Sequence, residues 1–286
     1  MSRDALGGIV RALRPYAERL PWLATGYRDV RERLRARYGQ AVPTSLGFRF
    51  AGYSHMVEGD FEPLETGFVT HELASTDVFV DVGANIGYYT CMARAKSVHT
   101  IAIEPLDSNL RVLYKNVAAN GWRDGVEVFP VALSDVPGLL ELYGTNTGAS
   151  LIPGWAGRAS SNARLVPVST LDALLASRFD GQRLLIKVDV EGVEHQVLRG
   201  ATRTLAREPS PRWIMEVCLT ENQPGVNPHF LEVFEAFWSH GYRAETLEER
   251  RAITRNDVKE WIVNGRRSFG SYSVLFIRAT APAQAI

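Results

Sequence analysis

Short apolar, β-branched runs alternate along most of the chain with stretches whose apolar residues recur every three or four positions. The first run, Val78-Phe79-Val80-Asp81-Val82, ends at Gly83 and has the continuous apolar character of a parallel strand covered on both faces. The turn from Gly83 to Gly87 comes next, and residues 86–95 suit a helix. His99 to Glu104 is a second strand, stopped by Pro105. Asp107 or Ser108 is expected to cap the next helix, which carries Leu110, Leu113 and Val117 on one face and closes at Asn120-Gly121. Val126–Phe129, Leu184–Asp189 and Arg212–Cys218 read as three more strands. A helix with Val193, Val197, Leu198, Ala201 and Leu205 at helical spacing joins the last two. Asn227-Pro228 opens a helix rich in Phe and Trp that Gly241 ends, and Tyr242–Thr246 and Tyr272–Ile277 complete the set. Leu139–Tyr143 and Arg164–Val168 read as two extra strands around a loop, 144–161, rich in Gly, Ser and Asn. Strand–helix alternation of this kind predicts a doubly wound α/β sheet with helices on both faces.

Residues 1 to about 40 read differently. Leu23, Tyr27, Val30, Leu34 and Tyr38 repeat at helical spacing, with Gly39 as a C-cap, so a helical N-terminal extension is expected over 1–50 and one α/β domain over 51–286. The 286 residues include 32 Lys plus Arg and 32 Asp plus Glu, a balance that gives no electrostatic basis for nucleic-acid or anionic-membrane binding. No apolar run is long enough to span a bilayer, and the first residues do not read as a signal peptide. Cys91 and Cys218 are the only cysteines, too few for a disulfide framework or a zinc motif. The expectation is a soluble protein of a reducing compartment, the cytoplasm.

Candidate chemistry starts at Asp81-Val82-Gly83-Ala84-Asn85-Ile86-Gly87. Glycines directly after a strand let the backbone approach a ligand at the head of a helix. A dinucleotide site wants G-x-G-x-x-G, but the corresponding positions here are Gly83, Asn85 and Tyr88. Asp81 sets a carboxylate beside the turn, which suits an amine or a sulfonium better than a pyrophosphate. Glu104 ends the neighbouring strand, where the carboxyl ends of both strands line one crevice, and a carboxylate there can accept from both hydroxyls of a ribose. Turn and acid together point to a nucleoside, and the turn's composition favours S-adenosylmethionine over NAD.

Lys187-Val188-Asp189-Val190-Glu191-Gly192-Val193-Glu194 brings three carboxylates to the same crevice. Asp189 is expected to face the reacting centre, with Lys187 as an ion-pair partner on the strand. Glu191 and His195 share a helix face if the helix has begun by Glu191. Glu216, on the next strand, falls beside Asp189. That pair leaves three readings, namely a divalent cation with oxygen ligands, a substrate contact or a buttress. Without an identifiable third ligand, no metal is assigned.

Taken in order, Asp81-Val82-Gly83-Ala84-Asn85-Ile86-Gly87-Tyr88-Tyr89-Thr90, Ile103-Glu104-Pro105, Pro130-Val131-Ala132-Leu133-Ser134-Asp135, Ser169-Thr170-Leu171-Asp172 and Lys187-Val188-Asp189-Val190-Glu191-Gly192 with Val197-Leu198-Arg199-Gly200 resemble the FkbM family of S-adenosylmethionine-dependent methyltransferases. The match runs from about Phe61 to Tyr242. The resemblance implies a class I methyltransferase (Rossmann-like) fold, a seven-stranded sheet with its last strand antiparallel. It also implies S-adenosyl-L-methionine as cofactor and methylation, usually of a hydroxyl, on natural products, sugars or glycans. Carried over by position, Asp81, Gly83, Asn85 and Gly87 would surround the methionine part of the cofactor, with Ala84 and Tyr88 in the same turn. Glu104 would hold the ribose, with Pro105 beside it. Ala132 and Leu133 would flank the adenine, Asp189 would lie near the transferable methyl, and Glu62 in Phe61-Glu62-Pro63 matches an element that closes over the site.

A hydroxyl is weakly nucleophilic until its proton leaves, and a general base contributes typically ~10²–10⁴-fold. Asp189, Glu191 and His195 are the candidates, the last for its near-neutral unperturbed pKa. Residues 144–150 are expected to border the acceptor pocket and Trp155 to stack on a sugar face. Two other readings are carried: an NAD-linked oxidoreductase on a similar sheet, against which Asn85 and Tyr88 stand where glycines belong, and a non-catalytic methyltransferase-fold protein, against which the set Asp81, Glu104 and Asp189 argues.

Overall fold

The computed structural model describes residues 39–144, 148–155 and 163–278, together with Leu34. Apart from Leu34, the expected helix over the first 38 residues, and positions 145–147 and 156–162 of the expected loop, lie outside the described residues. The segment after Gly39 is not helical: β1 (Val42–Pro43) and β2 (Arg49–Phe50) form a small antiparallel hairpin. Phe48 and Phe50 are its buried anchors, and this apolar pair seats the hairpin on the main core.

The central sheet is built from β3 (Val78–Val82), β4 (His99–Ile103), β5 (Val126–Phe129), β9 (Leu184–Val188), β10 (Arg212–Glu216), β11 (Tyr242–Thr246), the two-residue β12 (Ala252–Ile253) and β13 (Ser273–Arg278). Their order across the sheet is β12-β11-β13-β10-β9-β3-β4-β5. β5, β4, β3, β9 and β10 run parallel, and β13 is antiparallel to both β10 and β11. The expected seven strands with an antiparallel last one are present, and β12 adds an eighth at the edge. The two extra strands do not join this sheet. β7 (Gly138–Leu142) and β8 (Arg164–Ser169) pair with β6 (Ala132–Leu133) in a separate three-stranded sheet.

Helices α1 (Ser54–Glu58), α2 (Pro63–Glu72), α3 (Tyr88–Ala95), α4 (Asp107–Ala119), α5 (Leu171–Leu175), α6 (Glu194–Arg199), α7 (Thr202–Leu205), α8 (Phe230–Ser239) and α9 (Arg255–Asn264) fill the connections. No helix among the described residues is long and apolar enough to cross a membrane.

Strand alternation sorts the core into two layers. Val78, Val80, Val82, Ile186, Val188 and Met215 face one side, with the Phe-rich α8. Phe79, Leu185, Ile214 and Leu275 face the other, with α3 and the hairpin. Every residue of β3 and of β9 is buried, as strands paired on both edges and covered on both faces require. Fully burying each large aliphatic or aromatic side chain contributes roughly 1.5–3 kcal/mol. The same parity places Asp81 and Lys187, which are register partners, in the second layer, where Thr90 and Tyr89 of α3 meet them.

Candidate active site

The turn after β3 is fixed before any ligand arrives. Gly83 and Ala84 both donate their N–H to the carbonyl of Ile103, at 2.9 and 3.0 Å. Asn85 takes left-handed backbone (φ 51°) and donates its N–H to Glu104 Oε2 at 2.8 Å. Gly83, at φ 81°, is demanded by a close approach: a Cβ there would stand 1.8 Å from the carbonyl oxygen of Asp189. The glycine therefore lets the β3 and β9 loops abut.

Glu104 directly succeeds the last residue of β4 and is buried at 5% exposure. Besides Asn85, it accepts from the Leu106 N–H at 2.8 Å and from Asn109 Nδ2 at 3.3 Å, both on Oε1. Leu106, not Asp107 or Ser108, is the N-cap of α4; it makes no side-chain cap, and its own N–H goes to the Glu104 carboxylate. Burial pushes the Glu104 carboxyl up to about 7, against the pull of these donors.

A cleft enclosing about 610 Å³, open to solvent, runs along the carboxyl ends of β3, β4 and β9. Of the expected cofactor-binding residues, Gly83, Asn85, Glu104, Pro105, Ala132, Leu133 and Asp189 line it together. Ala84, Gly87 and Tyr88 build the turn from behind. Ala84 packs with Ala102 and Leu113, Gly87 sits over Leu113, and the Tyr88 ring packs among Phe48, Phe50 and Phe61.

Asp81 and Glu62 belong to an adjoining buried cluster of charges centred on Lys187. The Lys187 ammonium is 3.1 Å from Asp189 Oδ2 and 4.8 Å from the centre of the Tyr89 ring. Tyr89 donates its hydroxyl to Glu62 Oε2 at 2.7 Å, and Thr90 donates to Asp81 Oδ2 at 2.6 Å. Burial lifts Asp81 to about 6 and raises Glu62. Glu216 is raised well above the usual carboxylate range, first by the charge of Asp189 and then by burial. Lys187 therefore compensates the Asp189–Glu216 pair, where a bound cation was one sequence reading. Among the described residues, no group of three His, Cys, Asp or Glu is arranged to hold a metal.

The β9–α6 turn answers where α6 begins. Glu191 (φ 55°) and Gly192 (φ 101°) are both left-handed, and α6 begins only at Glu194. Glu191 and His195 therefore do not share a helix face. Left-handed backbone at Glu62 (φ 41°) and Glu191 costs on the order of 1–3 kcal/mol each, strain of a kind that clusters at functional sites. Glu191 lines the cleft, and its Oε2 accepts from Trp155 Nε1 at 2.7 Å. Trp155, expected to stack on a sugar, is instead buried at 3% exposure.

His195 lies outside the cleft. It stacks on His229 at 3.8 Å between ring centres and 8° between planes. Burial first, and then His229, lower its pKa to about 4. Its folded pKa is depressed below the ordinary imidazole value, so the stability it gives by staying neutral is complete above about 6.5 and is lost as pH falls toward about 4. His195→Phe keeps a ring in the stack and removes this term. Urea denaturation on either side of pH 6 is expected to show a smaller acid-induced loss of stability in the variant than in the parent.

Ala149 and Ser150, in the segment expected to border the acceptor pocket, line the cleft, whereas sequence reasoning passed over Asn109, Leu151 and Val190, which also line it. Asn109 carried a signal, a polar residue next to Leu110 on the apolar face of α4, where it is buried against Glu104. Leu151 fell just past that segment, in a loop whose pattern does not fix where it packs.

Comparison with known families decides the assignment. The family model described as the methyltransferase FkbM domain matches residues 81–244, more than half of the chain. The protein belongs to the FkbM methyltransferase family. The matched stretch contains the β3 turn, Glu104, β6 and the β9–α6 turn. Among curated proteins, none matches the sequence significantly.

Solved structures resemble the FkbM chain more distantly. A methyltransferase FkbM from Methylobacillus flagellatus KT is 16% identical with a TM-score of 0.43, over 71% of this chain and 44% of that one, so the chain spans less than half of that structure's length. An SAM-dependent O-methyltransferase from Thermotoga maritima is 14% identical, with a TM-score of 0.39, over 86% and 80% of the two chains. A precorrin 8w decarboxylase from Methanobacterium thermoautotrophicum is 14% identical with a TM-score of 0.40, over 76% and 88%. The family assignment rests on the family model, and the class I methyltransferase fold on the strand order described above.

Proposed function

We propose that this methyltransferase uses S-adenosylmethionine to methylate a hydroxyl on a small molecule, a sugar or a glycan. The observation that carries the reading is the lining of the cleft. It offers three carboxylates, Glu104, Asp189 and Glu191, and among the described lining residues there is no Lys, Arg or His. Such a cleft repels a pyrophosphate and suits a cationic ligand that donates hydrogen bonds.

The polar atoms present fit that ligand. Asn85 Oδ1 is buried in the cleft without a hydrogen-bond partner, an acceptor awaiting a donor. Glu104 receives three hydrogen bonds on two oxygens that offer about four acceptor sites, which leaves room for a hydroxyl. Val131, Ala132, Leu133 and Leu142 supply an apolar wall for a base.

When bound, the donor supplies an activated methyl group on a positively charged sulfur. Glu104 binds and orients the ribose end. Asp189 takes the acceptor's proton. Lys187 occupies its Oδ2, which leaves Oδ1 for that proton and holds the side chain at the cleft. Glu191, already hydrogen-bonded to Trp155, and His195, outside the cleft, are less suited to the task.

Thermal and chemical denaturation with S-adenosylhomocysteine, S-adenosylmethionine and NADH test the reading. Either sulfur nucleoside at 100 times its Kd is expected to stabilise the fold by about 2.7 kcal/mol, and NADH by nothing measurable. A folded protein that responds to neither sulfur nucleoside would rule the donor out. The acceptor is identified by mass spectrometry of a deletion strain, which is expected to accumulate a metabolite or glycan lighter by one methylene.

A further inference from the structure

Residues 148–155 run beside the cleft, and Ala149, Ser150 and Leu151 line it. Ala149 and Leu151 also pack on the core of the small sheet, against Ala132 and Leu142 among others. This segment is tied to the β9–α6 turn at two points of one residue. Ser150 Oγ donates to the Glu191 carbonyl at 2.6 Å, and Trp155 Nε1 donates to Glu191 Oε2 at 2.7 Å. Ser150 Oγ also accepts from the Ile152 N–H at 3.0 Å, which shapes the segment between the two ties.

The turn is built to receive the indole. A Cβ on residue 192 would stand 2.5 Å from the Trp155 ring, so the left-handed Gly192 both makes the turn and clears the space. On its other side the turn is set by Glu194, whose Oε1 accepts from the Gly192 N–H at 2.8 Å. The Glu191 side chain is thus spent on a wall of the cleft. A wall left untied has to be ordered when a ligand binds, at an entropic cost, whereas a tied one is pre-organised.

We propose that Trp155 and Glu191 form a clasp that fixes residues 149–151 as one wall of the nucleoside slot, which makes both of them positioning residues for the methyl donor and removes Glu191 from the role of base. The proposal rests on the donor reading above. Its test is calorimetry and surface plasmon resonance with S-adenosylhomocysteine on W155F, E191A and the double variant. Each single change is expected to raise Kd about tenfold, by faster dissociation, and the double variant is expected to add nothing further. E191Q keeps an oxygen for the indole N–H and is expected to recover most of the affinity. Unchanged affinity in both single variants, or full additivity in the double one, overturns the clasp, and a purely catalytic Glu191 gives the first of these results.

Hydrogen exchange on the ligand-free protein separates the clasp from the donor reading. The Ser150 and Ile152 amides are expected to exchange faster in W155F and in E191A than in the parent. Unchanged exchange overturns the clasp. A parent protein that binds no S-adenosylhomocysteine overturns the donor reading, and the exchange result then stands by itself.

Discussion

Lys187→Met is expected to destabilise the fold by about 3–5 kcal/mol at neutral pH, the usual consequence of removing one partner from a buried ionic group. Lys187 is 5% exposed and lies in a strand paired on both edges. Burial alone lowers its pKa, but Asp189, Glu62, Asp81 and Glu216 more than reverse this and hold the ammonium above the ordinary lysine range. Without it, these four carboxylates face one another with no cation among them. The loss is expected to shrink as pH falls, because protonating the acids relieves the same repulsion. Urea denaturation at neutral and at mildly acidic pH measures both effects. The double variant Lys187→Met with Glu216→Gln is expected to regain part of the stability, since the two sites share one electrostatic environment. A single variant with the parent's urea midpoint at neutral pH is incompatible with this account of the cluster.

Glu104→Ala is expected to weaken S-adenosylhomocysteine binding by about 10–10²-fold, the loss of one charge-assisted hydrogen bond of about 1.5–3 kcal/mol. The parent's affinity is expected to depend on pH in a defined direction. Burial holds the free carboxyl at about 7, and a ligand that donates hydroxyls binds the ionised form. Below about 7, binding must therefore expel a proton, and affinity falls by up to about tenfold per pH unit. Above that value it levels off. With respect to folding the sign is opposite, because the raised group stabilises the fold at low pH and that contribution is lost as pH rises through about 7. Glu104→Gln is expected to abolish the pH dependence of binding. Calorimetry on either side of pH 7 reads it, and a parent affinity flat across that range contradicts ribose recognition by this carboxylate.

The sheet was legible because buried parallel strands leave unbroken apolar runs. Val78–Val82 and Leu184–Val188 could hardly fold otherwise, and the acids just beyond β4 and β9 had to emerge at the crevice. What escaped the sequence depended on side chains reaching across chain distance. The start of α4 was misplaced because its N-cap, Leu106, carries no capping side chain to mark it and is instead tied by its N–H to Glu104. Whether α6 begins by Glu191 stayed open in the sequence because Glu191 takes a backbone conformation rare for its type, stabilised by Ser150 and Trp155 some forty positions earlier. Trp155 looked like a binding platform because nothing in its neighbours reveals a cavity over Gly192. His195 had the right chemistry, but a later helix start turned it toward His229. The hairpin at residues 42–50 was absorbed into the expected extension because two-residue strands carry almost no periodicity.

The position of β13 between β10 and β11 bears on how the chain is made. Trp213, Ile214 and Met215 are fully buried, yet one edge of their strand has no partner until residues 273–278 exist. Throughout the synthesis of the intervening segment, a sticky, half-zipped sheet is exposed to its crowded surroundings. Nascent chains stalled before residue 273 are therefore expected to need chaperones, and fragments ending there are expected to be recovered as aggregates.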